Sequence, residues 1–137
     1  MPLVYRIDHE ARVVVVAGYG TLTDDEVFGY ERQMSERTDI AGYHELIDTT
    51  KVEHIALPSA DRVDDLAKEA AGKDATHGPA KLAIVAPQDL AFGLGRMFKA
   101  RREMDPRSNK DVGVFRTMDE ALKFLEIDHP LALPTLD

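Results

Sequence analysis

Residues 81–104 read KLAIVAPQDLAFGLGRMFKARREM and contain the clearest strand and the clearest following helix of the chain. Five of the first six residues are apolar, without polar alternation, as in a strand that is buried on both faces. Asp89 then opens a helical stretch that runs to Met104, and Asp105-Pro106 ends it. A buried strand that leads into a helix is the repeating unit of a parallel sheet with helical crossovers. The stretch therefore predicts an α/β fold.

The same alternation of strand and helix extends over the rest of the chain. Polar turn residues between two β-branched runs predict an initial hairpin. Thr23 with Glu26, like Thr117 with Glu120, has the spacing of a capping box at a helix start. The resulting order, β-β-α-β-α-β-α-β-α, predicts a mixed, mostly parallel five-stranded sheet with four helices and right-handed crossovers. The predicted strands span residues 3–7, 13–17, 43–52, 81–86 and 111–116, and the predicted helices span residues 24–38, 58–72, 89–104 and 121–126.

Length and composition favour one domain. The chain has 137 residues, which suits a single hydrophobic core. Neither an internal repeat nor a linker divides it. We predict one domain over residues 1–127, followed by a flexible C-terminal tail over residues 128–137, because the tail contains two prolines and no polar–apolar period.

Charge and cysteine content narrow the classes of partner. The formal net charge is −8, from 25 acidic and 17 basic residues, and this charge repels nucleic-acid phosphates and anionic lipid. We therefore expect no nucleic-acid partner and at most peripheral contact with a membrane. The absence of cysteine excludes disulfides and suits a reducing compartment. Because no apolar run approaches the ~20 residues of a spanning helix, we expect a cytoplasmic protein.

Five phrases between residues 4 and 125 point to a known fold. They are Val13-Val14-Val15, GYGTLTD at residues 18–24, Glu45-Leu46-Ile47-Asp48, LAIVAPQDLAFGLGRMF at residues 82–98, and Val114-Phe115-Arg116 with Asp119-Glu120-Ala121. In these phrases the chain resembles the STAS-type fold of the SpoIIAA-like superfamily, and in particular its small bacterial STAS/SEC14-like proteins. The resemblance implies an α/β domain whose relatives act without catalysis.

That resemblance implies two kinds of function. The anti-sigma-factor antagonists are phosphorylated switches that bind partners, whereas the SEC14-like relatives bind lipids or other apolar molecules. The antagonists carry an Asp-Ser-Ser-Gly-type phrase before the second helix, where this chain reads ALPSAD at residues 56–61. Ser59 is the only hydroxyl there, and the acid and the glycine are missing. Ser59 is thus a candidate regulatory phosphosite, and the alternative is that it is simply a helix N-cap.

Two glycines mark the third helix as a candidate ligand site. A glycine inside a helix costs about 1 kcal/mol relative to alanine, and that cost is usually tolerated where something approaches the backbone closely. The helix also starts at the carboxyl end of a parallel strand, where α/β sheets tend to hold ligands. The alternative is that the glycines only let the helix pack tightly on the sheet. The residues expected to contact a ligand are Phe28 and Tyr30 in the first helix, and Asp89, Phe92, Gly93, Gly95, Met97 and Phe98 in the third.

The second half of the third helix is basic and amphipathic. Apolar residues alternate there with Arg96, Lys99, Arg101 and Arg102, in a protein that is acidic overall. Such a stretch could touch anionic lipid or an acidic partner. The alternative is an ordinary solvated face whose long side chains cover apolar surface.

Signals for catalysis and for cofactors are missing from the sequence. It contains no Gly-x-Ser-x-Gly phrase, no phosphate-binding loop and no dinucleotide fingerprint. His44 and His54 lie near carboxylates in the sequence, but their spacing matches no common metal-ligand pattern. We therefore expect no catalytic residues, no metal and no cofactor.

Together these features predict a non-enzymatic STAS/SpoIIAA-like domain that binds a small apolar or amphipathic, lipid-like ligand, at a membrane surface or away from one. The alternative is a protein-interaction regulator of the anti-sigma-factor-antagonist type, which would act on a protein partner or as a homodimer.

Overall fold

The computed structural model describes residues 3–56 and 59–135, and only the backbone of residues 75–77. The predicted order of elements is confirmed within these residues. Both predicted threonine N-caps are present, since Thr23 Oγ1 accepts from the backbone N–H of Glu26 at 3.4 Å and Thr117 Oγ1 accepts from that of Glu120 at 3.3 Å. In each, the glutamate side chain accepts from the threonine hydroxyl and not from the backbone N–H that completes a capping box. The strands are β1 (Leu3–Asp8), β2 (Val13–Thr23), β3 (His44–Ala56), β4 (Ala80–Val85) and β5 (Lys110–Phe115), and the helices are α1 (Asp24–Ser35), α2 (Ala60–His77), α3 (Asp89–Met104) and α4 (Met118–Phe124).

The five strands lie side by side in chain order. β1 is antiparallel to β2, and β2, β3, β4 and β5 are parallel to one another. Helices α1, α2 and α3 pack on one face of the sheet, and α4 packs on the other. Helices α1, α2 and α3 each connect one parallel strand to the next, and each connection advances in the same direction across the sheet. Connections of the same handedness therefore place all three helices on the same face. The predicted mixed, mostly parallel sheet with four helices is confirmed.

Each face of the sheet has its own core. Along β2 the side chains alternate between the faces, so that Val14 and Val16 point towards α1 while Val13 and Val15 point towards α4. All four valines are completely buried. The unbroken apolar run at residues 13–17 is therefore explained by burial on both faces.

Two strands are longer than the sequence predicts. β2 continues to Thr23 and β3 to Ala56, because the two strands remain paired up to these residues. The register shifts twice along the way, between Ala17 and Tyr19 and between Gly20 and Thr21. Gly20 has a φ of 66°, a conformation that favours glycine and bends a strand locally.

The ends of three helices also differ from the prediction. α1 ends at Ser35, three residues before the predicted Thr38. α2 does not stop at Gly72 but continues to His77, and Gly78, with a φ of 78°, ends it. α4 begins at Met118, directly after the Thr117 cap, and ends two residues before the predicted Glu126. The predicted start of the second helix at Pro58 lies outside the described residues. None of the helices in the described ranges is long and apolar enough to cross a membrane.

The C-terminal segment lies against β1, β2 and the core beside α4. Nε of Arg6 donates to the carbonyl oxygen of Ala132 at 2.5 Å, and the hydroxyl of Tyr19 donates to that of Pro134 at 2.7 Å. Leu131 packs against the core on the α4 face. The flexibility predicted for this segment stays a prediction, and residues 136 and 137 lie outside the described residues.

Candidate ligand-binding site

A cavity of about 160 Å³ lies between the sheet and helices α1, α2 and α3. Its floor is formed by side chains of four neighbouring strands, among them Leu3, Val16, Ile47 and Ile84. Its walls are mainly aliphatic and aromatic. The helices contribute Val27, Phe28 and Tyr30 from α1, Val63 and Leu66 from α2, and Ala91, Leu94 and Phe98 from α3.

The close approach of α3 to the sheet occurs at Gly95. A Cβ atom at this position would lie 3.0 Å from Cγ1 of Val114 and 3.8 Å from Cγ2 of Ile84. Gly93, two residues earlier, is exposed, and a Cβ there would meet nothing within 4 Å. The two glycines therefore differ in role, and only Gly95 marks a tight contact.

This difference predicts opposite outcomes for two alanine substitutions. We expect Gly93→Ala to stabilise the protein by about 0.5 to 1 kcal/mol, since it improves helix propensity in open space. Gly95→Ala brings the same propensity but crowds Val114, and overpacking of this kind costs about 1 kcal/mol or more. Urea unfolding of both variants would test the prediction. Equal stabilisation by the two would contradict the close contact at Gly95.

Four of the eight residues predicted to contact a ligand line this cavity. Phe28, Tyr30, Gly95 and Phe98 contribute to its walls. The other four, Asp89, Phe92, Gly93 and Met97, do not. The cavity thus runs along one side of α3 from Ala91 to Arg102.

The start of α3 is occupied by contacts of its own. The Asp89 side chain is 96% exposed and pairs with Nη1 of Arg116 at 2.7 Å. The same guanidinium lies 4.0 Å from the centre of the Phe92 ring, and it also donates to the carbonyl oxygen of Pro87. These contacts cover the strand-to-helix junction from the outside.

One end of the cavity, near the carboxyl ends of β2 and β3, is bordered by an ion pair between two helices. Nε of Arg62 in α2 lies 2.8 Å from Oδ2 of Asp24 in α1, and its guanidinium lies 4.3 Å from the centre of the Phe28 ring. The hydrogen bond from Arg62 lowers the pKa of the Asp24 carboxyl. Arg62 therefore connects α1 to α2 along the cavity wall.

The other end of the cavity is polar and is centred on Glu45. Oε2 of this residue accepts a hydrogen bond from the Tyr30 hydroxyl at 2.8 Å, and Oε1 pairs with Nζ of Lys110. Burial raises the pKa of Glu45, but Lys110 and Tyr30 outweigh burial and hold the pKa below its usual value. Burial and the Glu45 charge together raise the pKa of Tyr30 well above its usual value. Glu45 is therefore ionised at neutral pH, and each of its two carboxylate oxygens has a partner.

Glu31 of α1 lies beside this group, where the cavity meets a smaller one of about 30 Å³. Its half-buried carboxyl has no hydrogen-bond or ion-pair partner among the described residues. Burial, and then the negative charge of Glu45, raise the pKa of Glu31 from 4.5 to about 7. Arg102, Lys110 and Lys73 oppose this shift without cancelling it.

Arg102, expected on a basic surface, lies in the interior. Its side chain and that of Asp74 are each only 3% exposed, and the two form an ion pair. Oδ2 of Asp74 also accepts from the backbone N–H of Asn109 at 2.9 Å. Arg102 lines the cavity and is not part of any membrane-facing or partner-facing patch, which corrects the prediction made from its position among other bases.

Two more members of the predicted basic patch have acidic neighbours. Lys99 pairs with Glu103, and Nε of Arg101 lies 2.9 Å from Oδ1 of Asp64 in α2. Arg96 is exposed and lies 5.9 Å from the centre of the Phe92 ring. The four bases therefore do not form one continuous positive surface, because a charge-assisted contact satisfies most of them locally.

Ser59 lies at a helix end and His44 forms a hydrogen bond to the backbone. Ser59 is exposed at the N-cap position of α2, but its side chain makes no capping hydrogen bond. Nδ1 of His44 accepts from the backbone N–H of Lys81 at 3.0 Å, and burial lowers the pKa of this histidine. Within the described residues, no three histidine, aspartate or glutamate side chains are grouped closely enough to hold a metal ion.

Several lining residues were not among the predicted contacts. Val63 and Leu66 belong to the apolar stripe of α2, which the sequence marks as buried without saying what it faces. Glu31 and Glu45 are carboxylates at positions that face the sheet–helix layer. The signal for Glu45 was its strand position, two residues before Ile47 and therefore on the same face.

The chain has a SpoIIAA-like α/β fold, which is defined by the order of the strands and by the layer of helices α1, α2 and α3 on one face of the sheet. The chain is similar in structure to an uncharacterized protein of the DUF3478 family from Shewanella loihica PV-4, which is described as having a SpoIIAA-like fold. The two are 18% identical, the match covers 90% of this chain and 93% of that chain, and the TM-score is 0.53. No protein-family model and no curated protein matches the sequence. At this level of identity the likeness establishes the fold.

Proposed function

We propose that this SpoIIAA-like domain is a non-enzymatic binding protein that holds a small apolar or amphipathic molecule in the cavity between the sheet and helices α1, α2 and α3. The cavity itself carries the proposal. An apolar cavity of roughly 150 Å³ is large enough to bind benzene, so a volume of about 160 Å³ suits a molecule with a ring-sized apolar body. A long acyl chain would need the helices to move apart.

The hydrogen bonds of the hydroxyl groups that line the cavity favour binding over catalysis. Tyr30 donates to Glu45, Thr49 donates to the carbonyl oxygen of Val85 at 2.7 Å, and Thr23 caps α1. A nucleophilic hydroxyl needs an adjacent base that accepts its proton and is then free to release it. Two hydroxyls of the lining contact a carboxylate. Tyr30 contacts Glu45, which Lys110 neutralises, and Thr23 contacts Glu26 at the start of α1 while it accepts the capping hydrogen bond.

Two substitutions in α3 test the proposed site. Ala91 lines the cavity, whereas Ala100 is exposed on the same helix. We expect toluene to raise the melting temperature of the wild-type protein, because a ligand that binds only the folded state stabilises it by about 2.7 kcal/mol at 100 times its Kd. Ala91→Leu fills the cavity and should weaken toluene binding at least tenfold, while Ala100→Leu should leave binding unchanged.

Calorimetric titration and thermal unfolding of the three proteins would measure this. Failure of toluene and related ring compounds to bind the wild-type protein up to their solubility would overturn the proposed function. Equal binding by wild type and Ala91→Leu would place the bound molecule elsewhere.

The regulator of the antagonist type is the second candidate, and one observation favours it. The hydroxyl of Ser59 is exposed and makes no capping bond, so it is accessible to modification. Against it stands the sequence around Ser59, which lacks the acid and the glycine of the antagonist phrase. Contact with a membrane surface has less support, since Arg102 is buried and both Lys99 and Arg101 have acidic partners.

A further inference from the structure

We infer that the molecule bound in this cavity carries a positively charged amine, and that the carboxylate of Glu31 receives it. This inference rests on the proposed function and specifies the chemical class of the ligand. It follows from the geometry and the charges at the polar end of the cavity.

Glu31 is the unengaged group at that end. Its neighbours Glu45 and Asp74 are held by Lys110 and Arg102, respectively, and neither cation has a second acid bound to it. Lys73 in α2 lies 3.4 Å from Glu69, which in turn pairs with Arg32. The Glu31 carboxyl borders both cavities and has no such partner among the described residues.

The charges around Glu31 leave its carboxylate without a cation in direct contact when it ionises. The groups that face it are Tyr30 from α1, Glu45 from β3, Lys73 and Asp74 from α2, Arg102 from α3, and Lys110 from β5. Lys73 is shared with Glu69, and the other two cations are matched by Glu45 and Asp74. A carboxylate in a partly dry site without a counter-ion is unfavourable, and its pKa near neutrality is the expected consequence.

An ammonium group supplies what this site lacks. It donates hydrogen bonds to the carboxylate, and its charge gives Glu31 a direct counter-ion. A hydroxyl could donate a hydrogen bond but would leave the carboxylate without a counter-ion, and a carboxylate would add a third negative group beside Glu31 and Glu45.

Four ligands of similar size separate these possibilities: benzylamine, benzyl alcohol, benzoate and toluene. We expect calorimetry at pH 8 to give at least tenfold tighter binding of benzylamine than of benzyl alcohol or toluene, and no binding of benzoate. Glu31→Gln should remove the preference for the amine and leave the affinity for toluene unchanged. Glu36→Gln is the matched control, because Glu36 is exposed at the end of the same helix.

Proton release provides a second readout that cavity filling alone would not change. Benzylamine should bind about tenfold more weakly at pH 6 than at pH 8, since the ionised fraction of Glu31 falls about tenfold over this range. Near pH 6.5 binding should release about three quarters of a proton per ligand, because about that fraction of Glu31 is protonated there, and Glu31→Gln should abolish that release.

The outcomes distinguish the two proposals. Equal binding of benzylamine and toluene, without an effect of Glu31→Gln, would refute the amine inference and leave the apolar binding function intact. If none of the four compounds binds, both proposals are refuted.

Discussion

Replacement of Asp74 by alanine is expected to lower the free energy of unfolding by about 3 to 5 kcal/mol. Asp74 and Arg102 form an ion pair whose side chains are each 3% exposed. Removal of one partner leaves the other charge buried and unpaired, which is far more costly than the loss of a surface ion pair. The substitution also leaves the backbone N–H of Asn109, before β5, without its acceptor. Urea unfolding at neutral pH would measure the loss.

A control and a double variant locate the origin of this effect. Asp89→Ala removes a carboxylate that is 96% exposed and should change stability by less than about 1 kcal/mol. Combining Asp74→Ala with Arg102→Met should restore part of the lost stability, because no unpaired charge then remains inside. A loss below 1 kcal/mol for Asp74→Ala, or a double variant that shows the sum of the two single losses, would contradict the buried pair.

The position of Asp74 could not be predicted from the local sequence pattern. Gly72 predicts the end of the second helix, which would place Asp74 in a polar loop. The helix instead continues to His77, because one glycine costs only about 1 kcal/mol and Asp74, in the added turn, reaches Arg102 and Asn109. No signal within a short window could reveal this pair, since its members are 28 residues apart.

The fold was more accessible to prediction than the site. Strand β4 and helix α3 could be recognised locally, because an unbroken apolar run and an amphipathic segment that ends at Asp105-Pro106 depend on neighbouring residues. The cavity depends on residues from four strands and three helices, and their juxtaposition is a property of the sheet order. Gly95 could be singled out from its position inside a helix, but the same reasoning singled out Gly93, which contacts nothing.

Basic residues illustrate the same limit. Lys99, Arg101 and Arg102 follow one another closely, and a helical stretch with such spacing predicts a positive surface. Neighbouring residues on a helix point in different directions, however, so a packed helix buries some of them and exposes others. Here Arg102 points into the interior, while Arg101 pairs with Asp64 on α2. Charge density along the sequence therefore overestimated the charge presented to solvent.

Glu31→Gln is expected to stabilise the protein by about 2 kcal/mol at pH 8 and to have little effect at pH 4. The folded-state pKa of Glu31 is raised from 4.5 to about 7, so between these values the folded state keeps a proton that the unfolded state has released. The free energy of unfolding therefore falls as the pH rises from about 4.5 to about 7, and it does not recover above that range. A shift of this size corresponds to roughly 3 kcal/mol, which solvent contact of the half-buried carboxyl reduces to about 2.

Unfolding by urea at a series of pH values between 4 and 8 would test this prediction. The wild-type protein should lose stability relative to Glu31→Gln across the interval, with the difference levelling off near pH 8. Glu36→Gln, on the same helix but exposed, should follow the wild-type curve in parallel. A constant difference between wild type and Glu31→Gln at every pH would mean that Glu31 titrates as an ordinary surface carboxyl. In that case the polar end of the cavity would hold no buried, unpartnered carboxylate for a cationic ligand to pair with.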